Sequence, residues 1–113
     1  SNINKKQDEE EYADFNNAYV TEMIEYWENN LTNIFRRQKD ILVADAVLEM
    51  FRRRANIENF NKKALYIFIR EMTGSKTQHI TRIVNLMKKY NTRLMAEFHK
   101  LGYLDTANTG SFL

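Results

Sequence analysis

The chain has 113 residues, 43% apolar and 28% charged, an ordinary globular composition and enough length to bury one core without metal or disulfide staples. It holds no cysteine, so disulfide and thiol chemistry are excluded, and no apolar run approaches the length of a membrane span. The net charge of +2 conceals an asymmetry: residues 1–30 carry eight acids against two lysines, while residues 31–113 carry fifteen bases against seven acids. Such a split points to an anionic partner for the basic half, or to two halves that neutralise each other within one fold.

Proline is absent, and the three glycines are Gly74, Gly102 and Gly110. A long proline-free chain rich in Glu, Lys, Arg, Leu and Met favours helix almost throughout. The expected fold class is all-α: a small multi-helix domain over residues 12–104 with a helix-turn-helix at about 62–90 and a long C-terminal helix. Residues 1–11 are polar and expected to be disordered. Ser1 stands where an initiator Met would, so the natural start is expected to lie elsewhere; no signal-peptide pattern is visible, and a cytoplasmic location is expected.

Tyr12, Phe15, Tyr19, Met23 and Trp27 recur at helical spacing and form one stripe. The stripe suits the core. It also suits docking, either on a second copy of the chain or on an RNA polymerase-type protein partner. Asn29 and Asn30 are expected to weaken this helix, and Asn91-Thr92 to mark a break in the last one. A second helix centres on "ILVADAVLEMFRRR", with Ile41, Ala44, Val47, Leu48 and Phe51 inward and Ile34 and Phe35 extending the face upstream. Arg52, Arg53 and Arg54 at its end complement the helix dipole or clamp a phosphate.

Asn61 is placed as an N-cap, with Phe60 and Leu65 as a hydrophobic staple. In "KKALYIFIREMT" the apolar positions are Leu65, Phe68, Ile69 and Met72. Gly74 is placed to end this helix in a left-handed conformation, and Ser75 with Gln78 matches a capping box for the next. The fourth helix keeps Ile80, Ile83, Val84, Met87, Tyr90, Leu94, Phe98 and Leu101 on one face until Gly102. The tail at 105–113 is expected to be a short wing or a disordered arm.

Opposite the apolar face stand Gln78, Thr81, Arg82, Asn85 and Lys89, flanked by Lys76, Thr77, His79, Lys88 and Arg93. No acid occurs from Gly74 to Leu94, although a merely solvated face usually mixes both signs. Gln and Arg match the edges of adenine and guanine, and Lys and Thr serve phosphates. The candidate DNA-contacting residues are Lys76, Thr77, Gln78, Thr81, Arg82, Asn85, Lys88 and Lys89.

"IREMTGSKTQHITRIVN" resembles the helix-turn-helix of the lactose-repressor family, whose pattern runs roughly V-A-E-x-A-G-V-S-x-x-T-V-S-R-V-V-N. The shared elements are Ile69, Glu71, Gly74, Gln78, Ile80, Thr81, Arg82, Ile83, Val84 and Asn85. The resemblance implies base contacts at Thr77, Gln78 and Arg82. It covers residues 69–85 only, and two positions depart from it: Arg70 replaces a small alanine and Ser75 a buried valine. Motifs of this form also occur in sigma-factor-like and phage transcription proteins.

Catalysis is not expected, nor is a cofactor or metal. Ser75 and His79 are one helical turn apart, but Ser75 is better explained as a cap and no acid is placed to orient the histidine. His79 and His99 are too far apart along one helix to share a metal. The expected function is duplex-DNA binding in a transcription-associated, nucleoid-located protein. The alternative is a non-enzymatic adaptor docking through the long basic helix. RNA binding ranks below both, because no aromatic sheet motif of the single-strand modules is present.

Overall fold

The computed structural model describes the backbone of residues 2–107 and the side chains from Asn16 onward. Among the described residues the fold has four α-helices, α1 (Asn2–Ile34), α2 (Gln38–Arg52), α3 (Lys62–Thr73) and α4 (Thr77–Leu101), and a single 3-10 turn at Arg54–Asn56. No strand occurs among the described residues, so the fold class is all-α.

α1 starts at Asn2, ten residues before the expected Tyr12, and runs through Asn29 and Asn30 instead of stopping there. Two separate causes keep it intact. Asn30 is fully buried, and its side-chain amide donates to the Tyr26 carbonyl one turn back (2.8 Å). The next residues, Leu31 and Ile34, are partly buried hydrophobics packed on the core. Ile34 and Phe35 therefore belong to the end of α1 and the following turn, not to the second helix. The Phe35 N–H still bonds the Leu31 carbonyl, and its ring is buried.

The core lies where α1, α2 and α4 meet, with Ile69 of α3 closing it. Trp27 is 1% exposed, with Phe35 stacked at 6.2 Å, Tyr90 at 5.1 Å and Tyr26 at 5.9 Å. Tyr19 packs edge-on against Phe98 at 5.5 Å. Tyr19, Met23 and Trp27 are thus core residues, the first of the two roles expected for the stripe, and these three offer no surface to a partner. The side chains of Tyr12 and Phe15 lie outside the described residues.

Local signals hold well in the second half. Asn61 caps α3, its Oδ1 accepting from the Ala64 N–H at 2.9 Å. Phe60, however, packs on Phe51 (4.9 Å) and is itself partly exposed. Met72 is 54% exposed, leaving Ile69 as the fully buried residue of α3. α4 is continuous through Asn91-Thr92. Asn91 accepts a hydrogen bond from the Tyr19 hydroxyl, and the Thr92 hydroxyl returns to the Lys88 carbonyl at 3.2 Å, so both polar side chains are satisfied without breaking the helix. Gly102 then ends α4 at φ 81°, and Leu101 is half-exposed.

The chain beyond Gly102 folds back onto α1. Leu104 is buried, and its N–H donates to Glu22 Oε1 at 2.8 Å. The Asn29 amide donates to the Thr106 carbonyl, and the Asn30 amide to the Ala107 carbonyl at 3.3 Å. Residues 102–107 are therefore neither wing nor free arm; 108–113 lie outside the described residues.

Candidate nucleic-acid interface

α3 ends and α4 begins within four residues. Gly74 sits at φ 67°, in the left-handed region that a Cβ disfavours, and its N–H donates to the Arg70 carbonyl at 2.8 Å. Ser75 is not the N-cap of α4: that position is Lys76, with no side-chain cap, while the Ser75 hydroxyl accepts from Thr73 Oγ1 at 2.8 Å. The capping box fails because Thr73 already holds the serine inside the turn.

The corner is tied by side chains that the sequence reading treated separately. Arg70 is exposed and reaches across the turn to Thr77 Oγ1 (2.9 Å), so no small residue is needed there. Thr81 is half-buried, its hydroxyl 2.9 Å from the Tyr66 hydroxyl of α3. Thr81 thus faces α3 and not open solvent.

Gln78, Arg82, Asn85 and Lys89 are all exposed and follow one another at four, three and four residues, a single stripe along α4. Lys76 and Thr77 are exposed at its start. Lys88 is exposed too, but it borders an apolar groove toward α1 and does not share the stripe.

Behind the stripe is an acid that no local pattern revealed. Asp40, in the first turn of α2, is 6% exposed, and its Oδ1 accepts from Arg82 Nη2 at 2.8 Å and lies 2.6 Å from His79 Nε2. Burial by itself would push this carboxyl up. The hydrogen bonds from His79 and Arg82, with the Arg82 charge, outweigh it and hold Asp40 below its ordinary value of 3.8. Asp40 therefore does orient His79, correcting the expectation that no acid would. Ser75 remains bonded to Thr73, and no hydrogen bond joins it to His79 among the described residues.

Three further bases stand in the chain just before Asp40. Arg36, Arg37 and Lys39 immediately precede it and are all exposed. The run "RRQKD" holds the turn between α1 and α2 and the start of α2. Arg52, Arg53 and Arg54 behave differently. Arg52 contacts Glu28 (3.4 Å), Asp45 (3.3 Å) and Glu49 (3.1 Å), and Arg53 pairs with Glu49 (2.9 Å). Arg54 donates to the Phe51 carbonyl at 2.8 Å and to Thr21 at 3.3 Å. These three arginines are internal ties, not a phosphate clamp.

No group of three or more potential metal ligands occurs among the described residues. No helix among them is long and apolar enough to cross a membrane. No protein-family model, curated protein or solved structure matches the chain.

Proposed function

We propose that this chain is a small DNA-binding, transcription-associated protein whose α3–α4 corner acts as a helix-turn-helix. The reading rests on one observation: the exposed stripe Gln78, Arg82, Asn85 and Lys89 stands on an acid-free stretch of α4 beginning at its first turn. Recognition helices read bases with their N-terminal turns, and Gln and Arg carry the donors and acceptors for it.

Asp40 adds a physical reason for Arg82 to serve. An arginine on a helix surface loses rotamer entropy when it docks. Here one Nη2–H is already fixed on a buried carboxylate while the side chain stays 57% exposed. A guanidinium has five N–H donors, so others stay available for a guanine edge or a phosphate. Lys76 and Lys89, on the same helix end and stripe, supply phosphate contacts, and the exposed Arg36, Arg37 and Lys39 add positive charge next to Asp40 in the chain.

The experiment is an electrophoretic shift with random duplex DNA at 50 and 200 mM salt. Neutralising several phosphates makes affinity fall steeply with salt through counterion release. Absence of any shift at the lower salt would refute DNA binding and leave α4 as a protein-docking surface.

A further inference from the structure

Away from the α3–α4 corner, α1, α2 and α4 leave an apolar groove of about 280 Å³ between them. Its walls include Tyr19, Met23, Trp27, Val47, Leu48 and Met87. Trp27 and Leu48 are almost fully buried beneath it, so the surface that the groove offers comes from the partly buried Val20, Phe51 and Leu65 and the exposed Met95 and Lys88. Met23, Met87 and Met95 also line it, and flexible thioethers adapt to varied apolar shapes.

The polar lining is sparse and one-signed. Among the described residues no acid contributes to it, and beside the Tyr19 hydroxyl and the Trp27 indole the polar groups are Asn16, Lys88 and Asn91. Asn91 is engaged by Tyr19 and by Met95 Sδ (3.5 Å). Lys88 is exposed and has no ion pair among the described residues, and no acid lies three or four positions from it on α4. An ammonium at the mouth of a low-dielectric cleft favours an anionic head and disfavours a cationic one. At roughly 30 Å³ per water-sized group, the space holds about nine or ten non-hydrogen atoms, at the small end of ligand pockets and far short of a docked peptide helix.

We propose that this groove binds a small apolar carboxylate whose alkyl chain of about nine carbons fills the space against Val20, Phe51, Leu65 and Met95, with its carboxylate outside the space on the Lys88 ammonium. The site does not depend on whether α4 contacts DNA.

Trp27 is the sole tryptophan and lies just behind the wall, so a change in the packing around it on occupancy is read in its emission. The full chain is titrated at pH 7.5 with decanoate below its micelle threshold, and separately with decanol and decylammonium. Decanoate is expected to change Trp27 emission saturably, to raise the melting temperature, and to bind at least tenfold tighter than decylammonium. Lys88→Met keeps the apolar stem and removes the charge. It should weaken decanoate at least fivefold, to about the affinity of decanol, and leave decanol unchanged. Val20→Phe narrows the groove and should weaken every probe. Variants are compared only where a cooperative melt shows them folded, and the wild-type carboxylate-to-ammonium ratio decides without them. No saturable response to decanoate, equal affinity for decanoate and decylammonium, or an unchanged decanoate affinity in Lys88→Met would each overturn the proposal.

Discussion

The Asp40 carboxylate and the Arg82 guanidinium meet at 2.8 Å, joining the first turn of α2 to the second turn of α4 across 42 residues of sequence. Because the carboxylate is buried and Arg82 half-exposed, the contact fixes the arginine without hiding it. It also gives the α3–α4 corner an anchor outside the turn.

Asp40→Asn removes the charge but keeps the shape, and should cost about 1–3 kcal/mol of stability by weakening the hydrogen bonds from the partly buried His79 and the half-exposed Arg82 to a buried acceptor. The wild type should show a matching acid dependence. A carboxyl held below its unfolded value of 3.8 contributes stability that is complete above that value and lost as pH falls through the lower folded value. Melts of wild type and Asp40→Asn should therefore differ most above pH 5 and converge toward pH 2. A constant difference across that range would show that the charge is not what stabilises the contact.

Trp27→Ala should cost about 3–5 kcal/mol, the range for truncating a large ring in a packed core. Its neighbours Tyr26, Phe35 and Tyr90 all come from the same chain, so the loss should appear in the melt and not as a drop in oligomeric mass. Sedimentation alongside the melt separates the two effects.

Asn30→Ala should release the end of the chain. It removes the donor to the Ala107 carbonyl and leaves a buried gap beside Tyr26, at about 1–3 kcal/mol. Amide hydrogen exchange at Leu104 should accelerate in the variant, while Ile80 and Ile83 deep in α4 should slow or speed only with global stability.

Gly74→Ala tests the corner itself. A Cβ there meets no atom within 4 Å, so the penalty is backbone strain alone, about 1–2 kcal/mol for an alanine held at φ 67°. A melt unchanged within about 0.3 kcal/mol would mean that the turn readily adopts another conformation.

What the sequence disclosed was local. Asn61 and Gly74 act within a few residues of themselves, and the α4 stripe from Ile80 to Phe98 is a plain 3.6-residue period. What it hid was non-local. Asn29, Asn30 and Asn91 looked like helix breakers because their propensity is poor, yet each side chain finds a partner more than 70 residues away. The same blindness applied to the candidate interface. The bases on α4 could be counted, but not that Asp40 stands behind Arg82. Ser75 misled for a different reason: two hydroxyl residues compete in one turn, and Thr73 takes the serine before the helix can.

The most direct test of DNA reading compares Arg82→Ala and Lys89→Ala with wild type on a selected duplex and on a scrambled one, at fixed salt, each protein first shown to be folded. Arg82→Ala should lose about 1–3 kcal/mol on the selected site and much less on the scrambled one, relaxing specificity. Lys89→Ala should weaken both duplexes about equally and lower the salt slope by about one. Equal binding of both duplexes by wild type and by Arg82→Ala would contradict the claim that α4 reads bases.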